Sequence, residues 1–138
     1  MTEDREQLLR LLHKKVHVSG YLERFGIKQN RRGACEVTIL LQDVRVTHQN
    51  TVVFLDHIWT SINDKVLEID PCQGSKFRFD ATVGMYTKFD RKTKTKSTQP
   101  GVYKISKPRV IYEGYGPPLS QFLRTSKEKE PLLNLEYS

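Results

Sequence analysis

Cysteine is scarce in this chain: its 138 residues hold two, Cys35 and Cys72, too few for a disulfide scaffold. Two unpaired thiols fit a reducing compartment, and the expectation is an intracellular, cytoplasmic protein. No apolar run reaches the length a membrane helix needs, so no membrane span is expected. The opening Met1-Thr2-Glu3-Asp4-Arg5-Glu6 is acidic and polar where a secretory leader is basic and then apolar. Gly20, Gly26 and Gly33 lack both the Walker and the dinucleotide-binding spacing. His13, His17, Cys35 and Cys72 lack zinc-site spacing, and Asp43, Asp56, Asp64 and Asp80 are scattered. The expectation is therefore no metal, no cofactor and no catalytic residue. Asp56-His57 reads as a polar pair at a rim, because neighbours on a strand face opposite ways unless a bulge intervenes.

What the chain has in excess is positive charge, unevenly placed. Lys and Arg total 23 against 16 Asp and Glu, a net charge of +7. Residues 88–109 contain Lys88, Arg91, Lys92, Lys94, Lys96, Lys104, Lys107 and Arg109 against Asp90 alone, and so carry the whole excess. A body that is neutral apart from one basic stretch directs its field at a polyanion. The plainer reading is a solvated loop whose lysines serve solubility.

Residues 1–15 read as an amphipathic helix, with Leu8, Leu11, Leu12 and Leu9 at spacings of three and four and Asp4 as cap. Its expected role is to plug an end or edge of the main domain. From Val16 the period becomes two: Val16, Val18, Gly20 and Leu22 alternate with His17, Ser19, Tyr21 and Glu23. Residues 36–47 and 51–60 form an expected antiparallel hairpin about Gln49-Asn50. The segment 61–74 has room for a helical turn. Phe77, Phe79, Ala81, Val83 and Met85 share one face of a fourth strand, opposite Arg78, Asp80, Thr82, Gly84 and Tyr86. A basic loop follows, then a fifth strand from Val102 towards Tyr112, where Pro108 points to an edge or a bulge.

Residues 16–26 (VHVSGYLERFG), 36–44 (EVTILLQDV), 51–59 (TVVFLDHIW) and 74–86 (GSKFRFDATVGMY) together resemble the OB-fold of single-stranded nucleic-acid-binding proteins. The resemblance implies a mainly β fold, a five-stranded OB-like Greek-key barrel over residues 16–112. A short N-terminal helix would precede it and an irregular tail, 113–138, would follow. It also implies that ligand lies across strands 2 and 3, gripped by the first and fourth loops. Those loops contain Lys28, Arg31 and Arg32, and then Lys88, Arg91, Lys92, Lys94 and Lys96, with Arg24 and Lys104 beside them. Candidate stacking residues are Tyr21, Phe54, Trp59, Tyr86, Phe89 and Tyr103. Tyr21 and Tyr86 are favoured because they fall opposite apolar faces. Strand three is apolar on both parities, so Phe54 and Trp59 are not separated at this point.

The implied partner is single-stranded DNA or RNA, bound without catalysis, and no membrane. Bacterial relatives of that kind end in a strongly acidic tip, whereas this chain ends Pro131-Leu132-Leu133-Asn134-Leu135-Glu136-Tyr137-Ser138. An accessory or mobile-element protein fits as well as a housekeeping one, and Leu132, Leu133 and Leu135 are candidates for contacting another protein. The rival reading is an interaction or assembly module whose basic stretch grips an acidic partner; an enzyme comes third.

Overall fold

The computed structural model describes residues 3–29, 33–90 and 92–128. Five strands form one antiparallel sheet: β1 (Lys15–Gln29), β2 (Cys35–His48), β3 (Thr51–Ser61), β4 (Lys76–Asp90) and β5 (Thr95–Tyr112). Three short helices accompany it: α1 (Glu3–Leu9), α2 (Asp64–Ile69) and α3 (Leu119–Glu128). The order across the sheet is β3-β2-β1-β4-β5, a β1–β2–β3 meander with β4 returning beside β1. That is the Greek-key order.

The period-two pattern sets the faces. Val16, Val18, Gly20 and Leu22 of β1 are buried and join Phe77, Phe79, Ala81 and Val83 of β4 on the core side. The Phe77 and Phe79 ring centroids lie 5.6 Å apart. Leu8 brings α1 into the same core, Leu11 of the turn after it follows, and this segment is tied to β4 by the His13 amide donating to the Val83 carbonyl at 2.8 Å. The helix ends at Leu9, and turns rather than further helix fill residues 10–13. Asp4 lies inside the helix, not at its cap.

The expectation of a closed barrel is corrected. Among the described residues no ladder joins β3 to β5, and the sheet keeps two edges. Pro100 and Pro108 deprive β5 of two N–H donors. Lys104 and Lys107 take left-handed φ of 57° and 49° at register slips against β4, so the spacing of the remaining donors is uneven. Side chains bridge the seam instead. The Thr60 hydroxyl donates to the Val102 carbonyl at 3.4 Å, and the Asn63 amide to the Ile105 carbonyl at 2.7 Å. The Arg5 guanidinium spans both edges, donating to the carbonyls of Pro100 at 3.1 Å and His57 at 3.2 Å. Pro108 does sit on an edge strand, beside one of the slips.

Two further expectations change. The basic loop is largely a β-ribbon: β4 continues to Asp90, β5 begins at Thr95, and Gln99-Pro100-Gly101 lies within β5. Thr95 and Thr98 favour extended chain because threonine is β-branched, while Lys94, at a left-handed φ of 53°, makes the turn between the strands. The irregular tail contains α3, anchored against the segment that follows α2. Leu119 is fully buried, the Phe122 and Phe25 rings lie 5.4 Å apart, and Asp70 accepts from both the amide and the hydroxyl of Ser120 at 2.7 and 2.8 Å. Leu132, Leu133 and Leu135 lie outside the described residues. No described helix is long and apolar enough to cross a membrane.

Candidate functional site

The outward face of β1, β2 and β3 carries three exposed aromatic residues, Tyr21, Phe54 and Trp59. Phe54 and Trp59 both face out because the inward positions of β3 change parity between Leu55 and Ile58. Asp56 and His57 sit at that change and are both exposed, so the opposite-face argument against a shared location does not hold for them.

Each of these rings has a cation over it. The Arg45 guanidinium lies 5.3 Å from the Phe54 centroid and that of Arg24 5.5 Å from Trp59. The Lys76 ammonium lies 5.8 Å from Tyr21 and 5.9 Å from Tyr112. Strand register produces this interleaving. One row across the sheet reads Phe54–Arg45–Ser19–Arg78–Arg109, and the next reads His57–Gln42–Tyr21–Lys76–Tyr112. Directly opposite residues share a face, so the alternation of ring and cation is built by pairing. Trp59 packs on the outward Leu40, which is buried, and over Gly26, where an added Cβ would lie 3.0 Å from the indole.

Two grooves indent this face. One, of about 390 Å³, is lined by Tyr21, Phe54, Arg45 and Lys76, together with Asp43 and Asp56. Its neighbour, of about 280 Å³, is lined by His17, Ser19, Arg45, Thr47, Lys76 and Arg78 among others. Asp80 stands at its margin, with Oδ1 2.5 Å from His17 Nδ1.

The remaining candidates are placed elsewhere. Lys28 is exposed near the end of β1, opposite Glu36. Tyr86 and Tyr103 lie on the outward face of the β4–β5 ribbon, with Lys104 5.6 Å from the Tyr103 ring. Lys92, Lys94 and Lys96 are exposed at the ribbon tip. Arg31, Arg32 and Arg91 lie outside the described residues, as do the side chains of Lys88 and Phe89. Arg45, Lys76, Arg78 and Tyr112 were missed by the sequence reading, although Arg78 stands on the outward parity of β4, opposite Phe77 and Phe79.

No group of three or more His, Cys, Asp or Glu among the described residues is placed to hold a metal ion. Burial raises the Cys72 thiol above its ordinary range, with Glu113 and Asp70 adding to the rise. Comparison with protein-family models, with curated proteins and with solved structures returns no match.

Proposed function

We propose that this protein binds single-stranded nucleic acid without catalysing a reaction on it, with DNA the first ligand to test. The observation that carries the reading is the interleaving of exposed rings and cations: Tyr21, Phe54 and Trp59 each stand beside Lys76, Arg45 or Arg24. Unpaired bases stack on such rings, each contact contributing on the order of 1–3 kcal/mol. Guanidinium and ammonium groups between the rings meet phosphates, and the release of condensed counterions makes the affinity fall with salt. The basic ribbon tip, with Lys92, Lys94 and Lys96, extends the same field beyond the sheet. A duplex hides its base faces and offers this surface little beyond its phosphates.

The reading includes an OB-like fold. Five strands in Greek-key order and a seam held by side chains are consistent with the partly open barrel of that class. The test is fluorescence anisotropy of a labelled oligothymidylate beside its duplex form across a salt series. Tighter binding of the single strand, weakening with salt and quenching Trp59, is the expected result. Equal response to polyglutamate, or no binding at low salt, overturns the reading and returns the basic ribbon to an acidic protein partner.

A further inference from the structure

We infer that the groove floored by Ser19 is a phosphate seat, which takes a phosphodiester of the bound strand against the sheet while the flanking bases stack on Tyr21 and Phe54. The inference rests on the single-strand reading above and assigns one part of that face a separate task.

Three observations converge on this groove. The first is its lining. Arg45, Lys76 and Arg78 border about 280 Å³ of space, and among the described residues no carboxylate lines it. The adjoining groove has two, Asp43 and Asp56, so the two spaces differ in charge although they share Ser19, Arg45 and Lys76. A phosphate is favoured in the first and repelled by its like charges in the second.

The second is register. Ser19 is the small residue in the row Phe54–Arg45–Ser19–Arg78–Arg109, directly between two arginines. Adjacent strands lie about 4.8 Å apart, so the backbones bearing Arg45 and Arg78 are separated by roughly 10 Å with only a hydroxymethyl group between them. That gap admits one tetrahedral anion and gives it guanidinium donors from both sides, with the serine hydroxyl below.

The third is the position of the rings. Phe54 ends this row, Tyr21 stands two residues along β1 from Ser19, and both rings line the adjoining groove, beyond Arg45 and Lys76. A strand whose phosphate enters the seat finds both platforms for its neighbouring bases in the next groove.

The test is a charge placed on the floor. Ser19→Glu introduces a carboxylate between Arg45 and Arg78, Ser19→Gln a neutral side chain of the same length, and Gln42→Glu the same charge on the same face outside the groove. Thermal melting of all three variants verifies folding. The expected result is a loss of oligothymidylate affinity of about tenfold or more for Ser19→Glu relative to Ser19→Gln, with Gln42→Glu falling by no more than about threefold. If the wild type binds the strand and the three variants bind alike, the seat is wrong and the single-strand reading stands. If the wild type binds no strand, titration with inorganic phosphate followed through the arginine side-chain NMR signals decides. Shifts confined to Arg45 and Arg78 keep a phosphate seat that serves another carrier, and unmoved signals remove it.

Discussion

Tyr21 on the sheet face and Tyr86 on the ribbon are almost equally exposed, at 43% and 41%, yet they rest on different things. Tyr21 stands beside Lys76, as Phe54 stands beside Arg45. Tyr86 lies over Gly101 and Tyr103 over Gly84, so closely that a Cβ on those glycines would come within 2.8 and 2.1 Å of the rings. Both glycines are buried although they face outward, because the tyrosines cover them. A ring laid over a strand glycine shields backbone that has no side chain of its own. Exposure alone therefore does not distinguish a binding platform from a structural cover. At Tyr21 and Phe54, binding and stability should separate under mutation; at Tyr86 and Tyr103, as at Trp59 over Gly26, they should fall together.

The largest effect that sharpens this contrast is expected from Tyr21→Ala combined with Phe54→Ala. Two lost stacking contacts amount to about 4 kcal/mol, on the order of a thousandfold in oligonucleotide affinity. The melting temperature should barely move, since both rings are outside the core. Retained affinity, or a collapse in stability, would break the comparison at its stronger end. Next comes Lys92→Ala, Lys94→Ala and Lys96→Ala together. If each lysine meets one phosphate, the slope of log affinity against log salt becomes shallower by about 2. An unchanged slope would confine binding to the sheet face.

A smaller effect is expected at the ribbon itself. Tyr103→Ala uncovers Gly84 and should lower unfolding stability by about 1 kcal/mol, read as a shift in the urea midpoint. Tyr103→Phe retains the ring and should restore it. Gly84→Ala is the converse probe: the new methyl group pushes the Tyr103 ring off the strand, and stability should fall in the same direction. A neutral Tyr103→Ala would mean that the ring is a platform like Tyr21 and not a cover.

How much of this was legible in the sequence depends on how far apart the contributing residues lie. The alternation from Val16 to Glu23 and from Phe77 to Val83 named the buried faces of β1 and β4 correctly, because a single strand carries that signal by itself. Met85, on the same parity, is instead exposed where β4 runs out into the ribbon. The parity change in β3 was hidden, since its residues are apolar on both parities and the shift is a backbone event. Arg45, Lys76, Arg78 and Tyr112 meet only through pairings between different strands, which one-dimensional spacing does not encode. The C-terminal helix had a local signal that its surroundings obscured. Leu119, Phe122 and Leu123 stand at helical spacing, but Pro117-Pro118 reads first as a breaker, although proline is well tolerated where a helix begins.

The smallest expected effect uses the two thiols to ask whether a bound strand stays on the outward face of the sheet. Cys35 is exposed at the start of β2, opposite Gln29, close to the β1–β2 turn. Cys72 lies away from it, bridged to Pro118 beside α3, and its thiol is raised by burial, Glu113 and Asp70. Alkylation proceeds through the thiolate, and a raised pKa leaves less thiolate at a given pH. Iodoacetamide near neutral pH should therefore modify Cys35 first and Cys72 slowly. Cys35 shares the parity of Val37 and Ile39, which pack towards the core, and so faces away from Trp59 and its partner Leu40. Oligothymidylate stacked on Tyr21, Phe54 and Trp59 should therefore leave the Cys35 rate nearly unchanged. Cys72 serves as the reference within the same molecule. If bound oligothymidylate instead slows Cys35 several-fold relative to Cys72, the strand wraps around the ends of β1 and β2 onto the opposite face, and the outward sheet face is not the whole of the binding surface.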